Sequence, residues 1–401
     1  MILHIENRIW DQELVLFLKG KKLMKKNLLK VLCLVLVLAM VFSFVACGKA
    51  EEKTEEKTEE KTEEKDITEK TSEDYKPEDV TIVDGNDDLT TEFDGKISIG
   101  YTVSSEPEFQ TRVRTSLQAV CEEKGYELNV GVYGGDQTKQ RSLIESYLNA
   151  GADIIMDFAS NAEIGAALTE LCTEAGKYMI GIDGDYGEPA FYFGTNNPLC
   201  ATNNGHILGE YVRDNWDGKV DKFVRFSNPE WPPILQSRTE GGWDAFCEIL
   251  PEYADKKDEV YVDTVYVNAD DLVTQQNVRD WFTQQPDDVT SAWIALSDNS
   301  IMVAVSEIEA LGKDKQTCCA ANDCIGAFLE QLIQKKGETC WFSSLNFNPD
   351  NYGKLLVKLS EDIMLDASKV PHMTSFELPG CNYSNVAEMF PEKYAEVTAT
   401  M

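Results

Sequence analysis

From Lys96 onward the chain alternates between short strand-forming runs and longer runs with helical spacing, and no other feature restricts the possible folds so strongly. KISIGYTV is a β-branched run. EFQTRVRTSLQAVCEEKGY follows it, with Phe109, Val113, Leu117, Val120 and Cys121 on one apolar stripe. The unit then repeats: ELNVGVYG and TKQRSLIESYLNAG, ADIIMDFA and AEIGAALTELCTEAG, then KYMIGIDG and AFYFGTN. Gly125, Gly151 and Gly176 stand at or near predicted helix ends, where a left-handed residue is wanted. Strands alternating with helices predict right-handed βαβ crossovers, and hence a parallel sheet with helices on both faces.

The rhythm restarts after Asn196. PLCATNNGHILGEYVRDNW reads as a helix, DKFVRFS as a strand and ILQSRTEGGWDAFCEIL as a helix, and the pattern continues to CWFSSLN. Two similar α/β sets predict two doubly wound parallel-sheet lobes. Open parallel sheets bind ligands beyond the carboxyl ends of their strands. Two such sheets facing each other would therefore enclose a cleft, where binding pockets tend to form.

Composition narrows the function. The chain has 37 basic and 70 acidic residues. Residues 1–46 hold seven of the basic and three of the acidic ones, leaving 30 basic against 67 acidic and a net charge of −37 beyond them. A surface so acidic excludes nucleic acid, whose binding needs a basic footprint. Nine cysteines lie beyond Cys47, an odd number without the CxxC spacing of a zinc site, and they read as small buried apolar residues. Only His206 and His372 lie beyond residue 46, which argues against histidine-based catalysis. DGNDD near Asp84 lacks the ligand at position 12 and the flanking helices of a calcium loop. A G-x-S-x-G elbow, a P-loop and a dinucleotide fingerprint are all missing. No enzyme, metal site or cofactor is expected.

The amino-terminal part predicts an address. Residues 1–23 carry three acids in the first thirteen positions and fit no signal, so Met24 is the expected start. Residues 24–46 have a basic n-region (Lys25, Lys26, Lys30) and an apolar core from Val31 to Ala46, too short for a comfortable membrane span and right for a secretory signal. FVAC, ending at Cys47, resembles the lipobox of bacterial lipoproteins, although Phe44 stands where leucine is usual; this implies lipidation of Cys47. The repeat EEKTEEKTEEKTEEK has no apolar residue from Glu51 to Lys65, so nothing offsets the entropy of ordering it. A disordered charged tether is expected over 47–95.

The stretch from Lys96 to about Met373 resembles the type I periplasmic substrate-binding proteins, the ribose- and galactose-binding group of ABC importers. KISIGYTVSSEPEF, GADIIMDFAS, MIGIDGD, FGTNNPLCATNNGHILGEYV, SRTEGGWDAF, AWIALSDNSIMVAVSEI and CCAANDCIGAFLEQL carry the resemblance by their order and spacing. It implies one lobe from 96–196 and 346–372, a second from 197–345 and 373–401, and hinge strands crossing near Asn196, Asn346 and Met373.

It also implies a ligand set. A sugar needs planar polar groups for its hydroxyls and aromatic faces for its C–H surfaces. The first-strand loop offers Ser105, Glu106 and Phe109, with Ser104 beside them. Glu108 stands where the family carries a second aromatic. Asp183 matches the family's strand-four aspartate, while its usual following arginine is Gly184; Asp185 and Tyr186 are close neighbours. In the second lobe, Trp231 between Glu230 and two prolines reads as a stacking platform, and Arg238 resembles the arginine that clamps hydroxyls. Asp298 and Asn299 match an Asn-Asp pair in reversed order, Asp323 matches the second-lobe aspartate, and Asn346 lies at a hinge contact position.

The expected protein is a monomeric extracytoplasmic receptor, held to the outer face of the cell membrane by lipid on Cys47. It would capture a sugar-like small molecule by hinge closure and deliver it to an ABC permease. The alternative is a lipoprotein that senses such a ligand, a nucleoside or a signal molecule, and feeds a sensor kinase or chemoreceptor.

Overall fold

The computed structural model describes residues 70–83, 93–160, 162–267 and 270–401. The leader, the signal peptide, Cys47 and the charged repeat lie outside the described residues. Thirteen strands are described: β1 Thr81–Val83, β2 Ser98–Val103, β3 Glu127–Val132, β4 Ile154–Phe158, β5 Tyr178–Ile182, β6 Phe191–Phe193, β7 Lys222–Ser227, β8 Tyr261–Val265, β9 Ser291–Ala295, β10 Thr317–Asn322, β11 Trp341–Leu345, β12 Met373–Phe376 and β13 Gly380–Asn382. They form two sheets, in the orders β1-β12-β6-β5-β4-β2-β3 and β13-β11-β10-β9-β7-β8. Every pairing is parallel except β11 with β13. The two doubly wound lobes expected from the alternation are present.

The sequence pattern explains the layers. All five residues of β4 are buried, as a central parallel strand covered on both faces requires. Helix Glu108–Lys124 buries Val113, Leu117 and Cys121, three of the five residues of its predicted stripe. It ends at Gly125, whose φ of 66° lets its N–H return to the last helical carbonyls. Against it lies helix Pro349–Asp366, and the approach is set by Gly353. A Cβ there would stand 2.2 Å from the Ser116 backbone, and the Gly353 N–H instead donates to Ser116 Oγ at 2.9 Å. The first-lobe core joins these helices to β2, β4 and β5 through Ile99, Tyr101, Ile154, Ile180 and Tyr352. The second-lobe core centres on Phe226, Trp281, Trp293 and Phe328. All nine cysteines beyond Cys47 are free thiols, eight buried and Cys247 half-buried.

Two expectations need correction. The third crossing was placed at Met373, but β12 still belongs to the first sheet, pairing Met373 with Tyr192 and Thr374 with Phe193. The chain leaves that sheet only after Phe376 and enters the second at Gly380. The tether was drawn to residue 95, yet residues 72–83 are ordered as two 3-10 turns and β1. Tyr75 and Val80 within this stretch are buried.

Candidate functional site

The carboxyl end of β5 places Asp183. Its backbone is left-handed, with φ of 52°, and its N–H donates to the Phe193 carbonyl at 2.9 Å. This turn aims the carboxylate at the first crossing, where Oδ1 accepts the Thr195 N–H at 3.0 Å. Tyr352 Oη lies 3.5 Å from Oδ2. Burial raises the Asp183 pKa, against the opposing pull of Arg238 and the Thr195 hydrogen bonds.

Arg238 reaches the same place from the other lobe. It follows the short helix Pro233–Gln236, is itself buried, and puts Nη2 3.9 Å from Asp183 Oδ1. Its Nε donates to Asn197 Oδ1 at 2.6 Å and Nη2 to Thr195 Oγ1 at 3.3 Å. The guanidinium also lies over the Phe347 ring, 4.9 Å from its centre. Asn197 Nδ2 donates to Tyr192 Oη at 3.1 Å, and that hydroxyl donates to the Thr195 carbonyl at 2.6 Å. The lobes are thus drawn together around one cation held by a hydrogen-bonded frame.

Asp323 closes the constellation. It ends β10 with φ of 115°, and its N–H donates to the Leu345 carbonyl at 2.9 Å. Burial pushes its carboxyl up to about 7; Arg238 works against that shift, while the nearby charge of Asp183 adds to it. The carboxylate also accepts the backbone N–H of Asp298, at the start of helix Asp298–Ala310. Arg238 thus pairs with Asp183 and acts at longer range on Asp323, so two carboxylates from opposite lobes lie in the field of one guanidinium donor, groups suited to accepting and donating hydroxyl hydrogen bonds.

The other sequence candidates fall in varied places. Asp298 is fully buried and turned inward: Oδ2 accepts the Ile325 N–H at 3.0 Å and Oδ1 the Ser344 hydroxyl at 2.8 Å. It braces the loop that presents Asp323, while Asn299 beside it is exposed. Ser105 and Glu106 lie exposed in the loop after β2, with Glu106 paired to Arg114. Phe109 is half-buried, edge-on to Phe158, Phe347 and Tyr352. Trp231 is half-buried and packs edge-on to Tyr266 at 6.3 Å, so part of its surface belongs to the second-lobe core. Asn346 sits where two crossings meet: its N–H donates to the Pro379 carbonyl, and its Oδ1 accepts the Asn348 N–H at 2.8 Å. Asp185 meets Lys70, Tyr75 and His372 rather than Arg238, and Tyr186 is buried with its hydroxyl on Asp157 at 2.7 Å.

Sequence reasoning did not single out Thr195, Asn197 or Tyr352. FGTNNP carried a readable signal, a run of small polar residues just after a strand. Tyr352 carried none, because a tyrosine at helical spacing reads as core. Among the described residues, no three His, Cys, Asp or Glu side chains are grouped to hold a metal, and no helix is long and apolar enough to cross a membrane.

Two α/β lobes joined at three crossings, with Asp183 of one paired to Arg238 of the other, are the architecture of a class of solute-binding protein. The family model described as a periplasmic binding protein domain matches residues 97–366, and the chain belongs to that family. Its members bind solutes and are not enzymes. No curated protein sequence is significantly similar. Among solved structures, the chain is similar to an ABC transporter solute binding protein from Mycobacterium smegmatis with bound glycerol. That match has 15% identity and a TM-score of 0.60, covering 73% of this chain and 96% of the other. A glucose-galactose binding protein from Geobacillus stearothermophilus matches with 14% identity and a TM-score of 0.59, over 73% and 99% of the two chains. A 5-methylthioribose transporter solute binding protein from Thermotoga lettingae matches with 15% identity and a TM-score of 0.59, over 76% and 91%.

Proposed function

We propose that the protein is a lipid-anchored receptor that closes its two lobes on a sugar or sugar-like small molecule and hands it to an ABC permease. One observation carries the reading: Asp183 and Asp323, from opposite lobes, are buried around Arg238. Such a trio can accept several hydroxyl hydrogens and donate to a ring or glycosidic oxygen, and only the closed state brings all three to one ligand. A ligand that binds across the lobes stabilises that state, and a permease can read it by shape. The relatives named above, two of them for sugar ligands, support the ligand class, and FVAC with the acidic repeat supports anchoring at Cys47.

The test is a thermal-shift screen over hexoses, pentoses, pentitols, inositols and nucleosides. A ligand present at a hundred times its Kd stabilises the folded state by about 2.7 kcal/mol, which is readily read as a rise in Tm. A panel in which no polyhydroxylated compound moves Tm, while another solute class does, overturns the ligand class. Loss of ligand uptake on deleting the gene supports delivery to a permease. Intact uptake with a lost transcriptional or chemotactic response places the protein in a sensing circuit.

A further inference from the structure

Residues 70–83 form a strap that touches the first sheet, the first crossing and the second lobe. β1 extends the first sheet beside β12, with Thr81 opposite Thr374 and Val83 opposite Phe376. Upstream, Tyr75 and Val80 are buried in one apolar cluster with Tyr192 and Met373 of the first lobe and Ile234 of the second. Ser72 Oγ donates to Glu240 Oε2 of the second lobe at 3.3 Å. Asn196, at the first crossing, donates from Nδ2 to the Pro77 carbonyl at 2.9 Å. Lys70 Nζ and Tyr75 Oη both donate to Asp185 Oδ2, at 2.9 and 3.2 Å. Asp185 shares its loop with Asp183: the inner carboxylate faces Arg238 and the outer one faces the strap.

We propose that residues 70–80 form a latch across the closed lobes, in which Lys70 and Tyr75 are positioning residues for Asp183. The latch rests on the hinge closure proposed above, but not on Asp183 being a ligand contact. β1 is held by the first sheet, whereas Ile234 and Glu240 travel with the second lobe. Hinge opening must therefore separate Tyr75 from Ile234 and Ser72 from Glu240, so these contacts belong to the closed state alone. A polar cavity of about 360 Å³, lined by Ser72, Tyr75, Glu240 and Trp243 among others, gives the strap room to lift as they part. On the other side, the grip on Asp185 restrains the turn that aims Asp183 at Thr195.

Two measurements on the full chain test this without any ligand. The first is hydrogen exchange of S72C/E240C, oxidised with copper phenanthroline. The two thiols lose two protons and two electrons to the oxidant as the S–S bond forms. The cross-linked chain is expected to exchange more slowly at the crossings around Asn196 and Asn346, with the effect reversed by reductant. Equal exchange in the oxidised and reduced forms overturns the latch. The second uses Tyr75→Phe, which keeps the ring in its cluster, and Lys70→Met. Exchange of the Thr195 amide, held by Asp183 Oδ1, is expected to quicken about two- to tenfold, the range of one net hydrogen bond, with Tm nearly unchanged. Unchanged exchange at Thr195 in both variants overturns the positioning role. If Asp183 proves not to bind ligand, the cleft reading fails and the cross-linking result still stands.

Discussion

Asp183 and Arg238 come from opposite lobes, and their charged atoms stand 3.9 Å apart in a buried setting. The pair joins the two lobes and is a candidate ligand grip. Its energetics are asymmetric, because breaking a buried pair by removing one partner leaves the other uncompensated.

Arg238→Met should therefore be costly. Asp183 would lose the cation 3.9 Å from it, and Asp323 the charge that opposes its raised pKa. Urea denaturation is expected to show a loss of about 3 kcal/mol. Arg238→Lys should recover only part of it, since one ammonium cannot reproduce the planar donation to both Asn197 and Thr195. Full stability in Arg238→Met would mean that the cation is not what holds the lobes.

Asp183→Asn and Asp323→Asn should each weaken binding of the ligand found by thermal shift about ten- to a hundredfold, from about 1.5–3 kcal/mol for a lost charged acceptor. Tm without ligand should fall for Asp183→Asn, which leaves the buried Arg238 without its paired carboxylate, and hold or rise for Asp323→Asn, which removes a charge that burial disfavours. Trp231→Ala should lower Tm as well as affinity, since its ring also packs on Tyr266. Calorimetry beside thermal melts separates these patterns; unchanged affinity in all three variants would discard the assigned contacts.

Closure without ligand should depend on pH. Asp323 is raised to about 7 where the lobes meet, so the closed state holds a proton that a solvated carboxylate would release near its ordinary pKa of about 3.9. Lower pH therefore favours closure, and opening should increase as pH rises through about 7. Small-angle scattering between pH 5.5 and 8.5 should show the radius of gyration growing with pH. A flat profile, or one that Asp323→Asn does not flatten, would contradict this.

His372 and Asp185 make a second titrating pair, at 3.3 Å, with Lys70 and Tyr75 also on Asp185. Burial would lower the His372 pKa, but the hydrogen bond and charge of Asp185 outweigh it and raise it. Burial would raise Asp185, but His372, Lys70 and the Gly187 N–H outweigh it and hold it below the ordinary carboxylate range. The stability from protonated His372 is thus fully present below about pH 6.5 and lost as pH rises through its raised value. Asp185 remains ionised across that acidic window and loses its share only at lower pH. His372→Gln should cost about 0.5–1 kcal/mol at pH 5.5 and much less at pH 8.5; an equal cost at both would rule out the charged pair.

Lipidation should be visible by metabolic labelling with a palmitate analogue. The full chain is expected to carry the label and Cys47→Ala to lose it. A labelled Cys47→Ala variant would refute the site.

Periodicity made the fold legible. The stripe through Val113 and Leu117 and the run of β4, apolar but for Asp157, are local patterns, and a parallel two-sheet architecture follows from their alternation. The third crossing was harder to read. MTSF is a short strand whose sheet is decided by whether Tyr192 or Asn382 lies beside it, and spacing along the chain does not encode that choice. The strap was hidden for a similar reason. Tyr75 and Val80 are sparse apolar residues in an acidic stretch, and only the cluster with Ile234 and Met373 gives them a surface to bury.

What the sequence by itself determined was the identity and order of the groups: aspartates at strand ends, an arginine past a proline-rich turn, and small polar residues after β6. What only the tertiary structure decided was which way each one faces. Asp183 and Asp185 are two residues apart, yet one meets Arg238 across the cleft and the other meets Lys70 and His372 on the far side. Asp298 and Asn299 are adjacent, yet one is buried as a brace and the other exposed. The left-handed backbone at Asp183 and the meeting of three crossings set those directions. They arise from contacts between segments from twelve residues apart, as for Asp183 and Thr195, to 187 apart, as for Asp185 and His372, which no local pattern records.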